Sequence, residues 1–501
     1  MNFPRSSIFF SKLDRYFYPA VFVISFLYVL VLIADYDLNW SHPEMVRVQI
    51  PGAVKNGPAI VPADLLRGFD VLSFEIGAPP LGRTRFVSYF FQTFNVKIRL
   101  LLLRFFPPHP SLSIIWIFTL ILSPILFFKL IHQLTGDRKA AWVGASLFLL
   151  STGTLSGITM LFHPAKPLAL FFILAGCNLG FRLGQLARRE EYFSRRYNLL
   201  LAGLLGVSLA ACFTDETAWY IFICVPILSP GILRDKRRGW FTIGLYFSMF
   251  IVFLYFVTCL APIITRKLFE QNDFDFWKFA LSDNKTVFGN HIVANTFKNA
   301  RNLIRSQLVP DLKYSCRGLS AGTLYFGALL FYLISAFLGL NSDRKRIVLR
   351  GSVALLLFFV FQSLILLPRG EEAIIDTSFY YGNLTAVFLS LPLAILLAAD
   401  KKSFKALNKL VLIIILATYA YNFTAVNYRW MRQHHDVHRH SYWFRGESEG
   451  VRAERLSYPM VKHAWENRSD RAALEEMKAR YPLKSLWLFL ELECISSAGN
   501  D

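Results

Sequence analysis

Of 501 residues, 54% are hydrophobic and only 18% charged, with a mean hydropathy of +0.40, whereas soluble domains carry roughly a quarter charged residues. Forty-eight phenylalanines exceed what one aqueous core can bury, six cysteines are too few for a disulfide scaffold, and long unbroken apolar runs do not read as the alternating ~10-residue segments of a membrane β-barrel. The net charge of +20 falls largely in short loops between apolar runs, which orients a membrane protein and argues against a nucleic-acid partner.

In chain order, runs able to span a bilayer lie at 17–34, 112–132, 139–156, 164–181, 198–213, 217–233, 239–262, 319–340, 347–368, 377–399 and 409–427, about eleven in all. The expected fold is an all-α polytopic membrane protein. Connections 182–197 (Arg182, Arg188, Arg189, Arg195, Arg196), 234–238 (Arg234, Lys236, Arg237, Arg238), 344–350 (Arg344, Lys345, Arg346, Arg350) and 400–409 (Lys401, Lys402, Lys405, Lys409) are basic and are expected on the cytoplasmic side. The alternate connections 157–163 and 214–216 carry no Lys or Arg, and 369–376 has Arg369 against Glu371, Glu372 and Asp376. One alternation satisfies every loop. It places the N-terminus inside, with Arg5, Lys12 and Arg15 ahead of an uncleaved signal anchor.

The same alternation divides the chain into a membrane domain, 1–427, and an extracytoplasmic tail, 428–501. Two large outer loops, 35–111 and 263–318, belong to the membrane domain. Helical patches are expected in the tail at 447–456 and 470–480. Asp35 and Asp37 follow the first span in ADYDLNW, and Asp215 and Glu216 fill a short outer turn. Each acid alone can cap an element or face water; two clusters at one depth suit a carboxylate base acting on an acceptor hydroxyl.

Within the first outer loop, Arg85, Ser88, Gln92, Asn95 and Arg99 recur at helical spacing while Phe86, Val87, Phe90, Phe91, Phe94, Ile98, Leu101 and Leu102 fill the rest. That pattern predicts an amphipathic interfacial helix over 85–106, stopped by Pro107 and Pro108. Its arginines either snorkel to headgroups or, at Arg83 or Arg85, pair with a lipid phosphate.

Four blocks in order, GRTRFVSYFFQTFN, LTGDRKAAWVGASLFLL, LFHPAKPLALFFILAG and ACFTDETAWYIF, together resemble the first half of the GT-C superfamily of polyprenyl-phosphate-sugar-dependent glycosyltransferases, nearest its protein O-mannosyltransferase-like group. The matches are Arg85 and Asn95 at the two ends of the interfacial helix; Leu134, Thr135, Gly136, Arg138 and Lys139 before the third span; Lys166 opening the fourth; and Thr214, Asp215, Glu216 and Thr217 in the outer turn. Phe86 stands where the family has Pro, and Asp215 where it has Lys. The resemblance covers roughly residues 30–230. It implies a GT-C-like fold and inverting transfer, outside the cytoplasm, from a polyprenyl-phosphate-linked sugar donor to a glycan, lipid or protein acceptor. Asp37 or Asp35 would act as base, with Arg85, Arg83 and Lys166 on the donor phosphate, and with Asp215, Glu216, His163 and Asn95 lining the site. The expected location is a bacterial inner membrane rather than the endoplasmic reticulum. No cofactor is specified, and a divalent metal is left as an option.

Other features are weaker. His434, His435, His438 and His440 have the spacing of helical metal ligands but also read as a solvated interfacial stretch. Cys316 and Cys494 share the outer side, and Asn284, Asn383, Asn422 and Asn467 open Asn-x-Ser/Thr triplets. Two further classes stand beside the transferase: a lipid-linked-glycan flippase or transporter, disfavoured because no run carries a central charge, and a glycan polymerase or ligase of another fold. The latter would shift importance to Arg266, Lys267, Arg301 and Arg305.

Overall fold

The computed structural model describes residues 19–27, 86–107, 112–154, 165–189, 191–233, 236–256, 319–366, 382–398, 405–440 and 458–480, with 296–297, 300–301, 304, 307–309 and 315–316. We label its helices α1 (19–27), α2 (Phe86–Leu102), α3 (Ile115–Thr135), α4 (Arg138–Leu149), α5 (Ala165–Arg188), α6 (Arg195–Cys212), α7 (Ile221–Leu228) and α8 (Lys236–Tyr255). Then follow α9 (Ala321–Leu338), α10 (Ser342–Leu366), α11 (Gly382–Leu397), α12 (Lys405–His440), α13 (Tyr458–Glu466) and α14 (Arg471–Arg480). A 3-10 turn, Glu216–Tyr220, leads into α7. A two-residue antiparallel ladder, β1 (Ser315–Cys316) on β2 (Leu319–Ser320), pairs Ser315 with Ser320 and Cys316 with Leu319.

Each expected apolar run carries helix. Among the described residues five segments are long and apolar enough to cross a bilayer: Ile115–Thr135, Ala165–Arg188, Arg237–Tyr255, Ser342–Leu364 and Leu407–Thr424. Glu216–Leu228, Leu324–Leu338 and Gly382–Leu397 are apolar but shorter. The fold is that of an all-α membrane protein. Leucine, isoleucine, valine and phenylalanine side chains on α8, α9, α10 and α12 stay exposed on the outside of the bundle, as a lipid-facing surface requires. Helix α11 is the opposite case, with every residue from Gly382 to Leu397 buried, packed between α4 and α10.

Close helix contacts come from small residues. Gly176, Gly180 and Gly184 line α5 at four-residue spacing and face α7 and the turn after it, the packing that brings membrane helices together. A Cβ on Gly180 would lie 2.6 Å from Val225 Cγ1 and 3.1 Å from Ser229 Oγ, whereas one on Gly206 of α6 would meet nothing within 4 Å. Gly180→Leu is therefore expected to destabilise the bundle by about 1–3 kcal/mol, with Gly206→Leu near neutral. Denaturant titration of the two variants in micelles decides; equal midpoints would mean that α5 and α7 are not in contact. In the same seam Cys177 and Cys224 are buried with their sulfurs 3.5 Å apart, acting as small apolar residues.

Contacts sort the connections into two ends of the bundle. At one, Arg344 Nη2 pairs with Asp137 Oδ2 at 2.9 Å, the Tyr192 hydroxyl donates to Ile232 O at 3.1 Å, Arg238 stacks over Tyr192, and Arg350 stands within electrostatic reach of Arg188 and Arg346. Three of the four basic connections meet there. At the other end, Val87 N donates to Phe213 O at 3.0 Å, Lys166 meets Asp215, and Trp465 Nε1 donates to Leu103 O at 2.7 Å. No described hydrogen bond or ion pair joins a connection expected inside to one expected outside.

Two details concern the C-terminal part of the chain. The tail helices lie at Tyr458–Glu466 and Arg471–Arg480. The second matches the patch expected at 470–480, the patch expected at 447–456 lies outside the described residues, and Tyr458–Glu466 is a further helix with Pro459, pre-set for helix initiation, in its first turn. The boundary at 427/428 is no break in secondary structure: α12 runs unbroken from Lys405 to His440, about 54 Å at ~1.5 Å per residue, carrying the histidine-rich stretch as helix.

Candidate functional site

The turn between α6 and α7 organises the second end. Asp215, in extended backbone, caps the 3-10 turn: its Oδ1 accepts from Thr217 N at 3.0 Å and from the Thr217 hydroxyl. The same oxygen takes Lys166 Nζ at 2.5 Å, and Lys166 also reaches Thr217 Oγ1 at 3.3 Å. Both charged side chains are buried. Burying either charge alone would be prohibitive, so each one makes the other's position tolerable. Lys166 enters from the first turn of α5, so this pair ties α5 to the turn before α7 across 49 positions of sequence. Glu216 follows in the first turn of the 3-10 segment and is partly buried.

Helix α2 docks on that turn through Val87 and Phe213, but not in the way its amphipathic pattern suggested. The polar stripe Ser88, Gln92, Asn95 and Arg99 faces the protein, with Arg99 0% and Lys97 1% exposed, while Phe90 and Leu101 are exposed. The expected snorkelling of Arg99 to headgroups is corrected: against lipid it is the apolar face of a helix that turns outward, and the polar face that seeks the protein interior. Asn95 has a structural task. Its Oδ1 accepts from Ser113 Oγ at 3.0 Å and Ile114 N at 2.7 Å, satisfying donors at the start of α3 that no helical carbonyl reaches.

The LTGD block lies at the opposite end and makes a turn. Gly136, at φ 67°, closes α3 in left-handed backbone that glycine adopts without strain, and Asp137 caps α4 through Lys139 N and Ala140 N while its other oxygen holds Arg344. Near its start α3 itself contains a π turn, Phe118–Leu122, whose Leu120 carbonyl accepts from Ser25 Oγ at 2.7 Å. That bond fixes α1 on α3.

Of the residues that the sequence nominated, Lys166, Asp215, Glu216 and Asn95 are in this region, and Lys166 and Asp215 touch. Asp35, Asp37, Arg83, Arg85 and His163 lie outside the described residues, as does Cys494. Among the described residues no group of three or more His, Cys, Asp and Glu side chains is placed to hold a metal. Asn383 and Asn422 are buried, and Asn422 Nδ2 donates to Gln307 O and Val309 O. Sequence reasoning missed the ion pair itself, because neither Lys166 nor Asp215 carries a local signal naming its partner. Compared with protein-family models, curated proteins and solved structures, the chain matches none.

Proposed function

We propose that this protein is a GT-C-like membrane glycosyltransferase with about eleven spans, moving a sugar from a polyprenyl-phosphate donor to an acceptor hydroxyl at the extracytoplasmic face. The observation that carries the reading is convergence. Three of the four blocks on which the resemblance rests meet at one end of the bundle, the first bonded to the fourth through Val87 and Phe213 and the third to the fourth through Lys166 and Asp215. That end is remote from the clustered basic connections, so by the charge rule it faces away from the cytoplasm. This orientation puts the N-terminus inside and 428–501 outside, and suits an inner-membrane location.

In the reaction the acceptor oxygen attacks the anomeric carbon as the bond from that carbon to the phosphate oxygen breaks. The hydroxyl proton passes to the carboxylate of Asp37 or Asp35, and polyprenyl phosphate leaves with the bonding electron pair, inverting the anomeric centre. Arg85 and Arg83 stabilise the charge that grows on the phosphate. Lys166, already matched by Asp215, contributes chiefly by holding the outer turn in place, and Asn95 by holding α2 against α3. Mass spectrometry of surface glycans from cells with and without the protein tests the proposal. One sugar residue missing from a defined glycan, glycolipid or glycoprotein is the expected result; identical profiles would remove the transferase reading.

A further inference from the structure

Buried polar groups normally find a protein partner, and three glutamines here do not. Among the described residues, Gln92, Gln307 and Gln362 have both the amide nitrogen and the amide oxygen buried with no hydrogen bond to the protein. Gln92 is 2% exposed and Gln362 0%. Two of the three sit on elements that touch the outer turn. Gln92 is five residues along α2 from the Val87–Phe213 junction. Gln362 follows Phe361, whose ring lies 5.6 Å from that of Tyr220 at the end of the 3-10 segment.

A further orphan joins them. Helices α10 and α11 run antiparallel, with Gly351 against Leu391 and Phe358 against Phe388. Carried one turn further, that register brings Gln362 level with the start of α11, where Asn383 is buried with its Nδ2 unbonded while its Oδ1 accepts from Leu384 N. Phe388 of α11 also packs on Tyr220 at 5.1 Å. The second end of the bundle thus holds, around one turn, several desolvated carboxamides and the neutralised Lys166–Asp215 pair.

A carboxamide presents a donor and an acceptor side by side without net charge. That matches the adjacent hydroxyls of a neutral sugar, and it matches a phosphate poorly, since a phosphate calls for guanidinium or ammonium. Leaving such groups unbonded in the free protein costs stability, which is recovered only when a ligand supplies the missing partners. We infer that Gln92 and Gln362, with Asn383 beside them, are the groups that bind the hydroxyls of the sugar being transferred. The inference rests on the glycosyl-transfer reading and adds to it the groups that recognise the glycosyl unit.

The test is a ligand-induced thermal-shift titration of the full chain in lipid nanodiscs, using undecaprenyl phosphate and its hexosyl and aminohexosyl esters as probes. Methionine is close to glutamine in size and flexibility, so Gln92→Met and Gln362→Met remove the amide with little change in packing. Neither variant should unfold below the wild type without ligand, because no protein hydrogen bond is lost. Each is expected to bind the preferred sugar ester on the order of tenfold more weakly while keeping wild-type affinity for the bare lipid phosphate; Gln307→Met, on the segment bonded to Asn422, should change neither. Unchanged sugar-ester affinity in both variants, or equal losses for both kinds of lipid, overturns the inference. So does a wild type that binds every ester no better than the bare lipid, an outcome that leaves the lipid-phosphate reading standing. A wild type that binds neither kind of lipid removes the donor reading and this inference with it.

Discussion

Replacing Lys166 by methionine is expected to destabilise the protein by about 3–5 kcal/mol. The cost does not come from a lost attraction in water. It arises because Asp215, whose side chain is buried, would keep a carboxylate in an apolar setting without the cation that neutralises it. The double replacement Lys166→Met with Asp215→Leu removes both charges together and should recover all but about 1 kcal/mol, the remainder being the lost cap on the 3-10 turn. Reversible unfolding in mixed micelles measures all three. A loss below about 1 kcal/mol for the single variant would mean that the pair is solvated. The double variant also separates two roles: a stable protein that still transfers sugar makes the pair a brace, whereas a stable and inactive one returns Lys166 to the donor phosphate.

Replacing the base should be silent in stability and severe in turnover. If Asp37 or Asp35 takes the acceptor proton, one of Asp37→Asn and Asp35→Asn should slow transfer by about 10²–10⁴-fold and leave expression and donor binding near the wild type, since the proton moves only as the transition state forms. Single-turnover transfer from a labelled donor, with donor binding measured in parallel, checks this. Full turnover in both variants would remove the acid pair from the mechanism and turn attention to the basic loop residues Arg266, Lys267, Arg301 and Arg305.

The helices were legible in the sequence because a bilayer demands long apolar runs and every backbone group in it must bond within its own helix. Residues 112–132 announce α3 on composition alone. Where polar residues point was less legible. The spacing of Ser88, Gln92, Asn95 and Arg99 announces a stripe, but a stripe has no sign until the solvent outside it is known, and here that solvent is lipid. The resemblance nominated Asn95 for the site, and nothing in the sequence hints that Ser113 and Ile114 bond to it. The Lys166–Asp215 pair was out of reach for a related reason. Long-range pairing of two buried charges leaves no periodicity, and each residue taken alone reads as an ordinary interfacial charge.

Helix α11 has a consequence for how the protein is made. Its sequence is as greasy as that of any span, yet in the finished fold protein covers it on every side. Beyond filling the core, that hydrophobicity serves assembly, when the segment must leave the translocation machinery and wait in the bilayer for its neighbours. Its partner α4 is synthesised more than two hundred positions earlier and α10 directly before it. The seam from α4 through α11 to α10 therefore closes only late in synthesis, with α12 still to follow. The charged pair joins segments made early, whereas the part of that end built by α10 and α11, with its orphaned amides, takes shape only once both have been added.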